Sequence, residues 1–317
     1  MDKARVNEII KIAKVLVDQV ALNMPMDEKM KEMEYLAAAG MISYYGYDYA
    51  PIINRGFQSI KPKLRHQDFN HLMLNFKEAQ SLQKKVNDKL CLNAFIHREI
   101  NDFANLFSKS SDKAITTELF ISDFHLSNDA ELLQAFINRM NQYINSVQVP
   151  AYSKDGETFF RTGVKTSSMK TKDTQAGVLE ETFNKMQSEE IMGKIFELSQ
   201  FAIDDEKMAT IFNNIRKYKD DTIEIQAPYK DAAKITESLY QNPEFHNQMK
   251  EARITGNFET LKKSFDNTTI SGGFEQLCTN LDGTLTNNLD ERDLAEKRVQ
   301  ALIQTYIQNQ KQEGLKK

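Results

Sequence analysis

Apolar residues recur at three- and four-residue steps along most of the chain, which is the spacing of one helix face. The first stripe consists of Val6, Ile9, Ile10, Ala13, Leu16, Val17 and Val20. Similar stripes predict helices over residues 27–40, 51–57, 69–90, 95–107, 128–144, 179–201, 204–215, 231–240, 243–254, 258–265 and 290–307. In the last of these, Asp290 is expected to cap the helix and Leu294 to lie in its buried stripe. The predicted fold is mainly α, a multi-helix bundle-like packing.

The pattern changes to β-favouring residues near residues 147–165. Two runs of this kind flank Asp155-Gly156, a dipeptide that favours the tight turn of a hairpin. We therefore predict a small β-hairpin element here, followed by a polar loop over residues 166–177. Residues 115–124 fit either a strand or a helical turn, and residues 222–226 alternate like a short strand.

The hairpin region separates two mostly helical halves. It predicts an N-terminal helical domain over residues 1–146 and a second domain, the hairpin followed by helices, over residues 147–317. A hairpin can equally be inserted into one domain, so a single domain is the alternative.

Composition agrees with long helices, since the 317 residues include only 12 Gly and 6 Pro. Lys and Arg total 41 against 45 Asp and Glu, and a net charge of −4 argues against general nucleic-acid binding. No run of apolar residues is long enough for a transmembrane segment. With two cysteines and no signal-peptide core, the sequence predicts a cytoplasmic protein, and export by a route without an N-terminal signal stays open.

An aromatic cluster follows the second predicted helix. Its members, together with two nearby charged residues, are Tyr44, Tyr45, Tyr47, Asp48, Tyr49 and Arg55. One interpretation is a junction between helices that packs into the core. The other is a partner-binding surface, because Tyr and Arg are enriched in binding hot spots. These six residues are the candidate site under the second interpretation.

The same segment resembles a helix of bacterial mono-ADP-ribosyltransferase toxins. That family has a Tyr-x-Gly-x-x-Tyr-x-x-Ile-Asn pattern, which Tyr44-Tyr45-Gly46, Tyr49 and Ile53-Asn54 follow with one extra residue before Asn54. The resemblance implies that Arg161 binds the phosphates of NAD and that Thr268-Thr269 correspond to the family's Ser-Thr-Ser strand. No Glu-x-Glu motif follows Thr269, so the residue that would stabilise the ribose cation is not assigned.

A second short motif, residues 281–286, resembles the Asp-x-Asp-Gly-Thr signature of the haloacid dehalogenase family. That family uses the first Asp as its nucleophile. Here Asn280 takes that position, and almost no chain remains to build the family's sheet, so we interpret the match as coincidental.

Other chemistries lack their residue patterns. The five histidines include no pair four residues apart, so no metal site is predicted. No Ser lies in a Gly-x-Ser-x-Gly turn, and Gly272-Gly273 lacks the Lys of a phosphate-binding loop. The sequence thus assigns no catalytic residue and no cofactor.

The leading functional hypothesis is a non-enzymatic protein-interaction or regulatory protein with a protein partner. Its helices, rich in Lys, Asn and Met, are similar in style to those of bacterial effector-like proteins. The alternative is an NAD-dependent mono-ADP-ribosyltransferase-like transferase on a divergent fold. A third class, contact with an anionic lipid surface, would use two basic groups: Lys61, Lys63 and Arg65, and Lys165, Lys170 and Lys172.

Overall fold

The computed structural model describes residues 1–23, 26–65, 94–100, 115–122, 128–168, 170–171, 173–219 and 230–314. The described protein is mainly helical with a small four-stranded antiparallel sheet, which confirms the predicted fold class. The helix predicted over residues 69–90 and the strand predicted over residues 222–226 lie outside the described residues.

Contacts divide the chain into two compact units. The first comprises Met1–Ile144 and Gln187–Glu224, and the second comprises Asn145–Met186 and Ile225–Lys317. The domain boundary that the sequence places between residues 146 and 147 stays a prediction.

The first unit is built from helices and one three-stranded sheet. Its helices are α1 (Lys3–Asn23), α2 (Glu28–Tyr45), α3 (Ala50–Ser59), α4 (Asp129–Ile144), the C-terminal part of α5 (Gly177–Leu198) and α6 (Glu206–Arg216). All seven apolar residues of the predicted α1 stripe are buried. Helix α2 starts at the N-cap Asp27, and its residues 33–42 are all buried. An α-helix buried on every side is a core helix, so α2 is the centre of this unit.

The three-stranded sheet consists of β1 (Ile60–Arg65), β2 (Ala94–Ile100) and β3 (Ile115–Ser122). Strand β3 is central, parallel to β1 and antiparallel to β2. The helix predicted over residues 95–107 is therefore wrong where β2 is described. Residues 115–124, which fit two structures, form a strand as far as Ser122.

The predicted hairpin lies in the second unit. Strands β4 (Ala151–Lys154) and β5 (Glu157–Thr162) pair antiparallel across Asp155 and Gly156, whose φ angles are 53° and 75°. These left-handed angles suit the Asp-Gly dipeptide. The predicted polar loop is partly wrong, because residues 165–168 and 174–175 form two further strands, β6 (Lys165–Ser168) and β7 (Thr174–Gln175). The order of the sheet is β4-β5-β6-β7.

The remaining helices pack around an aromatic core. They are α7 (Lys230–Tyr240), α8 (Pro243–Thr255), α9 (Glu259–Thr268), α10 (Gly273–Gly283) and α11 (Leu289–Gly314), with the N-terminal part of α5. Phe265 stacks on Tyr306 with ring centroids 4.9 Å apart, and Phe245 meets the edges of both rings. Such contacts between helices distant in sequence hold the second unit together.

Two details of α11 differ from the sequence prediction. The N–H groups of Asp290 and Glu291 donate to the side-chain oxygen of Asn288, so Asn288 is the capping residue and Asp290 lies inside the first turn. Leu294 is 49% exposed and does not belong to the buried stripe. The stripe begins one residue later, at Ala295.

Candidate partner-binding surface

The candidate tyrosines lie where α2 ends and α3 begins. Gly46 closes α2: its N–H donates to the Ile42 carbonyl, and its φ of 96° is one that other residues rarely adopt. Tyr47–Tyr49 form one 3-10 turn, and α3 carries Pro51 in its first turn, where a missing N–H leaves no hydrogen bond unmade. Gly and Pro therefore fix a sharp junction that positions the tyrosines.

Tyr45 is the inner member of this cluster. It is 5% exposed, and its hydroxyl donates to Asn141 Oδ1 at 2.5 Å. The Asn141 amide in turn donates to Gln187 Oε1 at 3.4 Å. The rings of Tyr44 and Tyr49 meet the Tyr45 ring edge-on, with centroids 4.9 and 6.2 Å away. Tyr45 thus has the core role that one interpretation gave to the whole cluster.

Tyr47 is half-buried and held from two sides. Its hydroxyl donates to Glu8 Oε2 at 3.2 Å, and the Arg5 guanidinium lies over its ring, 5.6 Å from the centroid. Burial and the neighbouring Glu8 carboxylate raise the pKa of Tyr47, so its hydroxyl stays a hydrogen-bond donor at neutral pH. An exposed pair of residues on α1 thereby fixes the orientation of an aromatic ring.

The remaining candidates lie at the surface. Asp48 and Arg55 are exposed, and Tyr44 and Tyr49 are half-buried. We call the set Tyr44, Tyr47, Asp48, Tyr49 and Arg55 the tyrosine surface. It combines aromatic area with a carboxylate and a guanidinium.

Arg161 has a different environment from the one that NAD binding would need. It is 3% exposed, and its guanidinium donates to three backbone carbonyls: Val149 at 2.8 Å, Gly163 at 2.6 Å and Arg253 at 3.1 Å. Arg253 lies in the last turn of α8, whose carbonyls have no partner inside the helix. Arg161 therefore caps the C-terminal end of α8 and joins it to the β-sheet, which does not favour a role in binding phosphate.

A buried ion pair that the sequence did not predict lies beside Arg161. Arg253 Nη2 donates to Glu180 Oε1 at 2.5 Å and to Asn184 at 3.0 Å, and both charged side chains are fully buried. The Val164 N–H also donates to Glu180. Burial raises the pKa of Glu180, and the Arg253 guanidinium opposes that rise. In the local sequence, the only sign of this ion pair is Glu180 itself, an acidic residue in the first turn of α5.

The phosphatase-like motif also has a structural role. Its Asp282 lies in α10, and one carboxylate oxygen accepts a hydrogen bond from the Val178 N–H at 2.8 Å. A carboxylate at the N-terminal end of α5 satisfies N–H groups that have no partner inside the helix. The interpretation of this motif as coincidental agrees with its helical backbone, because the family needs the end of a strand here.

Other possible sites are weaker. A shallow groove of about 490 Å³ is lined by Gly272, which precedes α10, and by the polar side chains of Glu275, Gln276, Thr279, Asn280 and Arg298 on α10 and α11. Among the described residues, no group of three or more His, Cys, Asp or Glu side chains could hold a metal ion. The ring of His246 meets the ring of Tyr240 edge-on, with ring centroids 4.7 Å apart.

Comparisons of the chain with protein-family models, curated proteins and solved structures give no match to any of them. Across the described helices, none is long and apolar enough to cross a membrane.

Proposed function

We propose that this chain is a non-enzymatic protein that binds a protein partner through the tyrosine surface of its first unit. The observation that carries the proposal is the fixed position of Tyr47 between Arg5 and Glu8, in the same turn as the exposed Asp48. Aromatic and Arg side chains dominate the binding energy of protein interfaces.

The fixed ring matters because association orders side chains, which costs about 0.5–1.5 kcal/mol for each rotamer-rich one. Tyr47 is already ordered by two neighbours before a partner arrives. The turn that carries it is ordered as well, since Gly46 and Pro51 fix its two ends. A surface ordered in advance loses less conformational entropy when it binds.

The placement of the buried charged groups supports a non-enzymatic role. Arg161 donates to backbone carbonyls, Glu180 is paired with Arg253, and Asp282 accepts from the start of α5. Each of these groups stabilises the fold of the second unit, and each is held by atoms of the chain itself. This geometry does not favour the ADP-ribosyltransferase alternative, in which Arg161 would have to face a nucleotide.

The test is photo-crosslinking followed by binding measurements. A photoreactive amino acid replaces Asp48 in one protein and, in a matched control, Gln19, an exposed residue of α1 that lies about 16 Å along the helix from Glu8. We expect the first protein to capture a specific protein partner and the second to capture none. With the purified partner, Tyr47→Ala should weaken the affinity at least about tenfold, as truncation of a hot-spot aromatic residue does.

Gln19→Ala is the control and should leave the affinity unchanged. A Tyr47→Ala protein that binds its partner as tightly as the wild type would contradict the proposal. Release of nicotinamide from NAD, abolished by Arg161→Ala with the fold intact by circular dichroism, would instead support the transferase.

A further inference from the structure

The second unit contains two Asp-Gly dipeptides, Asp155-Gly156 and Asp282-Gly283. In such a dipeptide the backbone nitrogen of Gly can attack the side-chain carboxyl carbon of Asp and close a five-membered succinimide ring. Gly favours this attack, because it has no Cβ to hinder the approach and its backbone rotates freely. The fold places the two dipeptides in opposite surroundings, so their reactivity should differ.

Asp155-Gly156, in the turn between β4 and β5, is open to solvent. Both residues are exposed, and a Cβ at Gly156 would meet nothing within 4 Å. The pair of Lys154 and Glu157 closes the turn, which leaves the Gly156 N–H outside the ladder of hydrogen bonds. Among the described residues, neither this N–H nor the Asp155 carboxylate has a hydrogen bond or an ion pair. The two groups that would react are therefore not engaged elsewhere in the described protein.

The backbone of this turn also suits the ring. Positive φ angles at both residues, 53° and 75°, define a type I′ turn. The other favoured hairpin turn, type II′, keeps a positive φ at its first central residue and has a ψ of about −120° there. At that ψ the Gly nitrogen eclipses the Asp Cβ, as it does in a succinimide. Rotation of the one peptide group between Asp155 and Gly156 therefore prepares the ring, while both strands stay paired.

Asp282-Gly283 is held in the opposite way. Both residues lie in α10, so the Gly283 N–H is hydrogen-bonded within the helix. One oxygen of the Asp282 carboxylate accepts a hydrogen bond from the Val178 N–H at 2.8 Å. Ring closure here requires the end of α10 to open and this contact to break. The same dipeptide is thus exposed in one place and protected in the other.

We propose that Asp155 is a site of spontaneous covalent modification, at which the turn cyclises to a succinimide and reopens in part as isoaspartate. The Gly156 nitrogen forms a bond to Cγ of the protonated Asp155 carboxyl, a C–O bond breaks, and the hydroxyl leaves with the N–H hydrogen as water. Water then adds to the ring. Cleavage between the main-chain carbonyl carbon of Asp155 and the Gly156 nitrogen gives isoaspartate, and cleavage at Cγ restores aspartate.

The modification should loosen one strand. Isoaspartate adds a carbon atom to the main chain inside the turn, and the length of the turn sets the register of a hairpin. Strand β4 is an edge strand that pairs with β5 alone in this sheet. Strand β5 is held independently, because the Arg161 guanidinium donates to the carbonyls of Gly163 and Arg253. We therefore expect faster hydrogen exchange in β4 and unchanged exchange in α8.

The test incubates the full chain in slightly acidic water enriched in the heavy isotope of oxygen, followed by digestion in ordinary water and mass spectrometry. Passage through the succinimide leaves one heavy oxygen on the Asp. A second sample, unfolded in guanidinium chloride, is incubated until both dipeptides carry label, and this sets the incubation time. In the folded sample we expect label at Asp155 and at least about tenfold less at Asp282, because α10 must open first.

Two controls assign the label. Part of the labelled Asp155 peptide should elute with a synthetic isoaspartyl standard, which has the mass of the aspartyl peptide and a different retention time. Asp155→Glu, folded by circular dichroism, should carry almost no label at this position, since its ring would have six members and closes far more slowly.

Several results would overturn the proposal. They are a folded protein without label at Asp155, equal label at Asp155 and Asp282 in the folded protein, and labelled Asp155 peptide without isoaspartate. Label in Asp155→Glu equal to that of the wild type would show that the heavy oxygen does not enter through a succinimide at this turn.

Discussion

Among the described residues, each of the two units buries one glutamate completely, and the two glutamates have opposite surroundings. Glu34, on the central helix α2 of the first unit, has no hydrogen-bond partner for either carboxylate oxygen among the described residues. Glu180, on α5 in the second unit, accepts hydrogen bonds from Arg253 and from the Val164 N–H. The same side chain is thus buried once without compensation and once inside an ion pair.

The comparison shows that surroundings decide the protonation state of a buried carboxyl. Burial raises the pKa of Glu34 to about 8, so Glu34 is mainly neutral at pH 7. For Glu180 the same burial is opposed by the Arg253 guanidinium, which favours the ionised form. At pH 7 the first unit therefore holds Glu34 mainly as a neutral acid, whereas in the second unit the Arg253 guanidinium compensates the charge of Glu180.

The largest expected effect is the loss of the Arg253 side chain. Arg253→Met should lower the free energy of unfolding by about 3–5 kcal/mol, because it leaves the Glu180 carboxylate buried without its cation. It should do so without direct effect on the first unit. Because the chain contains no Trp, the measurement is urea unfolding followed by circular dichroism, with hydrogen exchange of peptides from α5 and α8.

Two further variants control this experiment. Lys194→Met removes a surface ion pair with Glu197, whose side chains are 39% exposed, and should change stability by less than about 1 kcal/mol. Adding Glu180→Leu to Arg253→Met should recover part of the loss, since no buried charge remains. If the double variant is no more stable than Arg253→Met, the lost charge pair is not the cause.

The second-largest expected effect is a change in the free energy of unfolding with pH, which Glu34 causes. An unfolded chain would ionise Glu34 near the ordinary pKa of 4.5, whereas the folded chain does so at a pKa of about 8. Below pH 4.5 both states hold the proton, and as the pH rises the unfolded state loses it first. Stability should therefore fall by about 3 kcal/mol between pH 5 and pH 8 and level off above that.

Glu34→Gln separates this effect from other titrations. The amide has nearly the same shape and no charge to lose, so the part of the pH dependence that Glu34 causes should disappear. The measurement is the urea midpoint of wild type and variant between pH 5 and pH 9, with hydrogen exchange of α2 as the local readout. Parallel pH profiles for the two proteins would show that Glu34 is ionised in the fold or not buried.

The third expected effect concerns Gly163, whose backbone lies next to the Glu180 carboxylate of the ion pair. Gly163 has a φ of 59°, and a Cβ at this position would overlap the Glu180 carboxylate. Gly156 has a similar φ of 75°, and a Cβ there would meet nothing within 4 Å. Gly163→Ala should therefore destabilise the second unit by about 2 kcal/mol more than Gly156→Ala does. Equal losses in thermal or urea unfolding would mean that backbone strain alone is responsible.

Local patterns were enough to predict part of this fold. The buried stripe of α1 and the Asp155-Gly156 turn each depend on residues that are close together in the sequence, so the local pattern was sufficient to predict them. The three-stranded sheet of the first unit was predicted only in part, because its strand pairs join residues that are distant in the sequence, such as Ile60 and Thr117. Over residues 95–100 the spacing of apolar positions fits a helix as well as a strand, and the pairing with β3 decides between them.

The site could be predicted to a similar extent. The local sequence indicated the tyrosine cluster, but it could not show that Tyr45 is buried and Tyr47 only half-buried. That separation depends on Asn141 and Glu8, which lie far away in sequence on opposite sides of the cluster. The Glu180–Arg253 pair joins residues 73 positions apart, and no local pattern specifies it. Buried charge pairs of this kind are a property of the assembled core.

The smallest expected effect compares the two tyrosine hydroxyls. Tyr45→Phe removes a buried hydrogen bond to Asn141 and should lower the free energy of unfolding by about 1 kcal/mol. Tyr47→Phe removes a hydrogen bond to Glu8, which is exposed, so water replaces the lost donor and the change should stay close to zero. The measurement is urea unfolding at pH 6, with hydrogen exchange of α2 and α4 as the local readout. Equal effects would mean that the Tyr45 hydroxyl reaches water as easily as that of Tyr47, so that burial does not set the strength of polar contacts in the first unit.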